Sequence, residues 1–136
     1  PQDTFADLFH RLMMEIIEPA IKSRGPLILR HFPPSMAALA RLTDEGWADR
    51  FELYWNGFEI ANAFFEVTDP EEQRARWELE KAERRRLGTS ELPDDPDLIA
   101  ALRRGLPPTG GIALGLERLF MAAQGVNDIR ELRLFR

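Results

Sequence analysis

The stretch Phe51 to Glu66, FELYWNGFEIANAFFE, leaves the chain least freedom. Aromatic and branched apolar residues dominate it. Asn56-Gly57 in its middle is a preferred two-residue hairpin loop, because both turn residues must take positive φ. The run predicts two antiparallel strands, 51–56 and 58–66, with Tyr54 opposite Glu59. Side chains alternate between faces along a strand, so Glu52 lies diagonal to Glu59 on one face. Like charges side by side in a sheet repel, and something positive is expected between them: a divalent cation, a cationic substrate or a nearby Arg. Asn62, Phe64 and Glu66 share a face farther along, a polar–aromatic–acidic row suited to an amine-bearing ligand. Glu59 and this row have opposite parity. Both can look into one pocket only if a bulge near Ile60-Ala61 inserts an extra residue into the second strand.

Upstream, Thr4 can cap a helix in which Phe5, Leu8, Phe9, Leu12, Met13, Ile16 and Ile17 recur at helical spacing; Pro19 is expected to end it near Ile17 or Glu18. Ser23-Arg24-Gly25-Pro26 is a turn, and Leu27 to Phe32 a strand broken by Pro33-Pro34. Residues 35–42 are alanine-rich without a clear period. Downstream, Asp69-Pro70-Glu71-Glu72 starts a helix that runs to about Leu87, with Arg84, Arg85 and Arg86 in its last turns and Gly88 as its stop. Most of it reads as a solvated charged surface, with Glu72–Arg76 and Glu80–Arg84 pairs and Trp77 as the anchor. Asp95-Pro96 opens a shorter helix, with Leu98, Ile99 and Leu102 inward and Gly105 closing it. The fold class expected is α+β: a mostly antiparallel sheet with strands near 27–32, 51–56, 58–66 and 112–116, and helices packed against it.

The second informative stretch is Gly111-Ile112-Ala113-Leu114-Gly115-Leu116-Glu117-Arg118, a short buried strand running directly into a helix from Leu116 to Ala123. Gly111 and Gly115 allow another group close to the backbone. Arg118 stands in the first turn, the unfavourable end of the helix dipole for a cation. That placement points either to a bound anion such as phosphate or to an ion pair with Glu117 or a neighbouring acid.

Bulk properties exclude more than they assign. With 136 residues, 44% hydrophobic and 30% charged, the chain suffices for one domain with a core. A net charge of −5 argues against a broad nucleic-acid-binding surface. Cysteine is absent, which removes disulfides and thiolate metal sites and fits a reducing compartment such as the cytoplasm. No apolar run reaches membrane-span length. His10 and His31 stand without metal-ligand partners. The chain opens on Pro1 and reads as a piece of something longer.

Together, FELYWNGFEIANAFFEVTDPEEQ and GLPPTGGIALGLERLFM resemble the carboxy-terminal half of a class II lysyl-tRNA synthetase catalytic domain, with the third signature motif of that class at 111–123. The resemblance covers nearly the whole chain. It implies ATP and Mg²⁺ as cofactors: Glu52 and Glu59 would hold magnesium on the ATP phosphates, and Arg118 would contact the triphosphate tail as the catalytic arginine. Asn62, Phe64 and Glu66, with Gly111, Ala113 and Gly115, would line the lysine pocket. Ala113, where lysyl-tRNA synthetases usually carry glycine, and His31-Phe32-Pro33-Pro34-Ser35 look more like the elongation factor P–lysine ligase branch. In that branch lysine or β-lysine is activated with ATP and attached to elongation factor P; the alternative acceptor is tRNA-Lys. A catalytically inactive paralogue or binding module is the remaining alternative. It is disfavoured because buried acids are costly without something to pair them. The first two motifs of the class, one for dimerisation and one with an Arg for the α-phosphate, are absent. The resemblance therefore implies a homodimeric full-length enzyme of which 1–136 is an inactive part.

Overall fold

Four strands make a single antiparallel sheet in the order β1-β2-β3-β4: β1 Leu27–Phe32, β2 Ala48–Trp55, β3 Phe58–Phe65 and β4 Gly110–Leu114. The computed structural model describes residues 3–132. β2 and β3 meet at Asn56 and Gly57, whose φ values of 51° and 82° are the positive pair that a two-residue hairpin loop needs. Pairing runs Trp55–Phe58 and Tyr54–Glu59, then skips to Leu53–Ala61, which leaves Ile60 as the inserted residue. The bulge expected if Glu59 and the Asn62 row share one pocket is present, and Ile60 is 1% exposed. A second irregularity falls at His31, φ 63°, between the pairs Arg30–Phe51 and Phe32–Ala48. It turns Phe32 onto the face shared by Ala48 and Arg50.

The amino-terminal helix departs from expectation. α1, Phe5–Leu12, starts at Thr4, whose hydroxyl accepts from the Asp7 amide while the Asp7 carboxylate takes the Thr4 N–H at 2.8 Å. The helix then passes through a π-helical turn, Met13–Ile17, into α2, Glu18–Ile21, so Pro19 does not stop it. The amide of Glu18 bonds the carbonyl of Met13, five residues back. The widened turn makes room for the proline ring and coincides with the amide that Pro19 lacks, so the break is absorbed upstream. Only one side of this helix meets the sheet. Phe9 packs on Phe32 with ring centroids 6.2 Å apart, in a core with Ala37 and Ala48, and Met13 is buried. Phe5, Leu8, Leu12 and Ile16 form an exposed second stripe.

α3, Pro70–Leu87, is capped by the Asp69 carboxylate, which accepts from the amides of Glu71 and Glu72; Gly88 ends it in a left-handed conformation, φ 69°. Both anticipated pairs form, Arg76–Glu72 at 2.6 Å and Arg84–Glu80 at 3.2 Å. Arg76 also donates to the carbonyls of Ala38 and Ala40 and so ties the helix to the body, while Trp77 faces α4 (Pro96–Arg104) and the segment before it. In α4, Ile99 and Leu102 are buried but Leu98 stays at the surface.

β4 is not buried as expected. All of its residues are exposed, because among the described residues it is an edge strand with no neighbour on its outer side. α5, Leu116–Gln124, follows after Gly115 and packs beneath β3, and Gly125 closes it at φ 68°. Among the described residues no helix is long and apolar enough to cross a membrane.

Candidate active site

Pairing and alternation bring the singled-out side chains to one face. From β2 come Arg50, Glu52 and Tyr54, and from β3 Glu59, Asn62 and Phe64; Glu52 is directly opposite Asn62, Tyr54 opposite Glu59, and Arg50 opposite Phe64. On β4, Ala113 faces Asn62 and Gly111 faces Phe64. Glu66, just past the end of β3, bridges to Ala40 and donates its amide to the carbonyl of Thr109 at 2.9 Å. The bulge at Ile60 is what lets Glu59 join the Asn62 row.

The centre of this face is Arg50, which lies just outside the apolar run that marks the hairpin in the sequence. The Arg50 guanidinium donates to Glu52 Oε1, to Asn62 Oδ1 at 3.0 Å and to the carbonyl of Met36 at 2.8 Å. Its planar group lies between aromatic rings, 4.3 Å from the centroid of Phe32 and 5.1 Å from that of Phe64. Glu52 takes a further hydrogen bond on Oε2, from the Tyr54 hydroxyl at 2.8 Å. The Arg50 and Glu52 side chains are 9% and 12% exposed. Of the positive partners anticipated for the two acids, a nearby Arg is therefore present for Glu52. Alternation carried the signal: residue 50 shares the face of residue 52, and the strand begins at Ala48 rather than Phe51.

Glu59 is less well served. Burial and the Glu52 charge raise its pKa above the usual carboxylate range, and Arg118 and Arg50 only partly oppose this. Burial also pushes the Tyr54 hydroxyl far up, with the hydrogen bond to Glu52 adding to it, so Tyr54 remains a donor throughout the physiological range. Arg118 Nη1 donates to the backbone carbonyl of Glu59 at 3.0 Å and lies 4.0 Å from Glu59 Oε2, with 58% of its side chain exposed. Its stem crosses Gly115, 3.4 Å from where a Cβ would sit. An acid at this neighbouring position thus meets one of the two readings of Arg118, while the open remainder of its fork suits an anion.

Because Glu59 is charged against its surroundings, its folded-state pKa exceeds the unfolded value. Folding stability therefore falls as pH rises from the ordinary carboxylate range through the Glu59 pKa. Glu59→Gln is expected to melt at the same temperature as the parent in acid and a few degrees higher at neutral pH. Thermal melts across that window test it, and equal melting at every pH would refute it.

The two glycines of β4 differ in use. A Cβ on Gly111 would lie 2.7 Å from Glu66 Oε1, so the carboxylate occupies space that any other residue would fill. Gly115 donates its amide to the carbonyl of Ile60 at 2.9 Å, tying the strand–helix junction to the bulge. Among the described residues no group of three or more His, Cys, Asp or Glu side chains could hold a metal ion. Each Glu52 oxygen already accepts one hydrogen bond, from Arg50 or Tyr54, so of the two acids Glu59 is the one open to a cation, and phosphate oxygens would have to complete a Mg²⁺ shell. Mg²⁺ takes one or two protein carboxylates in such sites, and Glu59 is short of positive charge.

Residues 9–136 match the family described as tRNA synthetases class II (D, K and N), and the chain belongs to that family. Among curated proteins it is 42% identical over 136 residues to the elongation factor P--(R)-beta-lysine ligase of Hamiltonella defensa, covering 98% of this chain and 41% of the relative. To the protein of that name from Vibrio cholerae it is 42% identical over 137 residues, covering 99% and 42% respectively. The Mannheimia succiniciproducens protein of that name is 42% identical over 130 residues. The chain thus spans about two fifths of the length of the curated relatives it matches.

Proposed function

We propose that this chain supplies the lysine-reading part and a share of the ATP-binding part of a ligase that activates lysine, preferably β-lysine, and joins it to a lysine side chain of elongation factor P. The observation that carries this reading is the Glu66 carboxylate seated on Gly111, at the end of the Asn62–Phe64–Glu66 row. An anion at the end of an aromatic wall is what a primary ammonium on a methylene chain requires. The names of the relatives support the choice of amino acid and acceptor.

In this reading Glu66 binds the side-chain ammonium, Phe64 lines the methylenes, and Asn62 and Ala113 shape the end that carries the carboxylate. The Ala113 methyl narrows that end and sets the preference for one isomer of lysine. Glu59 and, through the lone pairs left on its oxygens, Glu52 would hold Mg²⁺, and the exposed part of Arg118 would pair with the phosphate tail. ATP, when bound, turns the amino-acid carboxylate into an acyl donor: a carboxylate oxygen bonds to the α-phosphorus and pyrophosphate leaves. The acceptor amine then bonds to the acyl carbon and AMP leaves. These residues contribute positioning and neutralisation of charge rather than a covalent nucleophile.

The chain is one part of the catalytic unit in this proposal, and the whole protein acts in the cytoplasm. Each of Arg84, Arg85 and Arg86 on α3 already bonds a carboxylate, so that basic run is neutralised. The test is to incubate the whole protein with ATP and labelled α- or β-lysine, offering elongation factor P and tRNA-Lys together. Label on elongation factor P, faster with β-lysine, is expected. Label on tRNA would move the assignment to the synthetase proper, and no lysine-dependent ATP–pyrophosphate exchange would overturn both.

A further inference from the structure

Asn62 has a side-chain amide with two chemically different ends, and only one of them is free to meet a ligand. Its Oδ1 accepts from Arg50 Nη2 at 3.0 Å. The same guanidinium nitrogen donates to Glu52 Oε1, and Nη1 is anchored on the Met36 carbonyl. We propose that Arg50 is a positioning residue: it holds Asn62 with its carbonyl oxygen turned inward and its NH₂ offered to the pocket, and it holds Glu52 in a single orientation. The amide then donates, so the ligand group beside it must be an acceptor such as a carboxylate. Glu66, at the other end of the row, receives a cation. Arg50 thereby sets the direction in which an amino acid lies along Asn62, Phe64 and Glu66, without touching it.

The setting of Arg50 supports a role in orientation. The fork is fixed at both terminal nitrogens and lies between the rings of Phe32 and Phe64, so its rotamer is set from several sides. Its Nε is buried without a hydrogen-bond partner, a cost that a purely packing role would leave unexplained. Lysine could replace the charge beside Glu52. A compact ammonium cannot reproduce a planar fork that reaches Glu52, Asn62 and Met36 together.

The amino-acid polarity part of this inference rests on the lysine-ligase reading; the control of Asn62 by Arg50 does not. In the whole protein, Arg50→Lys and Arg50→Met are compared with the parent. Arg50→Lys is expected to recover most of the stability lost in Arg50→Met while its KM for the amino acid stays on the order of tenfold to a hundredfold high, as loss of a residue supporting a ligand-contacting group typically gives. In an Asn62→Ala background the same Arg50→Lys change is expected to add little to KM. Independent, multiplying effects, or a KM that recovers together with stability, would overturn the proposal. Nuclear magnetic resonance of the Asn62 side-chain amide supplies an arm that needs no substrate. The amide is expected to be rigid in the parent and mobile in Arg50→Lys, and equal order in both would overturn the proposal even if the protein activated some other acid.

Discussion

Glu52→Ala is expected to destabilise the protein by about 3–5 kcal/mol, the usual cost of removing one partner from a buried ion pair. The magnitude follows from what is stranded. The Arg50 guanidinium, 9% exposed, loses its counter-charge, and the Tyr54 hydroxyl loses its acceptor at 2.8 Å. Glu52→Gln, which keeps an oxygen for Tyr54, is expected to lose less. The double replacement Arg50→Met with Glu52→Leu is expected to regain most of the loss, because no charge is then left unpaired and the rings of Phe32 and Phe64 can pack on the new side chains. Chemical denaturation of the single and double variants measures this coupling directly. A Glu52→Ala protein within about 1 kcal/mol of the parent, the range of exposed pairs, would show that water reaches this pair and that it is not a buried one.

The same pair shows where sequence reasoning reached and where it stopped. The hairpin was legible because Asn56-Gly57 admits few conformations and alternation fixes which side chains share a face. Parity required the bulge that Ile60 provides once the resemblance placed Glu59 and the Asn62 row in one pocket. The demand for a positive group near Glu52 was legible as well, but not its identity, since the apolar run that marks the strand starts at Phe51 and Arg50 falls just outside it. Pro19 misled for a different reason. Proline removes a local hydrogen bond, and whether a helix ends there depends on whether the preceding turn can widen, as Met13–Ile17 does. The exposure of β4 lay beyond any local pattern, since Ile112, Ala113 and Leu114 read as a buried strand and burial depends on what lies beside it. For the same reason the second stripe of α1 was indistinguishable from the first.

Gly111→Ala is expected to leave the fold nearly intact and to raise KM for the amino acid by tenfold or more. The added methyl would lie 2.7 Å from Glu66 Oε1, a contact real Cβ atoms do not make, so one of the two groups must move. The nearest obstruction is the far end of a flexible side chain rather than backbone, so Glu66 gives way at little cost in stability. Giving way moves the carboxylate from the end of the Asn62–Phe64 row. A displacement of about 1 Å at a charged contact is enough to cost on the order of a hundredfold in rate. Melting temperature and amino-acid KM are therefore expected to separate in this variant, whereas Glu52→Ala lowers stability through the stranded Arg50. Glu66→Gln serves as the companion, since it keeps the shape and removes the charge. If Glu66 is the counter-ion of the substrate ammonium, both variants raise KM for lysine while KM for ATP stays near the parent value. If Gly111→Ala melts like the parent and binds lysine equally well, the Glu66 carboxylate is not the ammonium site, and the amine must be read by another acid on this face.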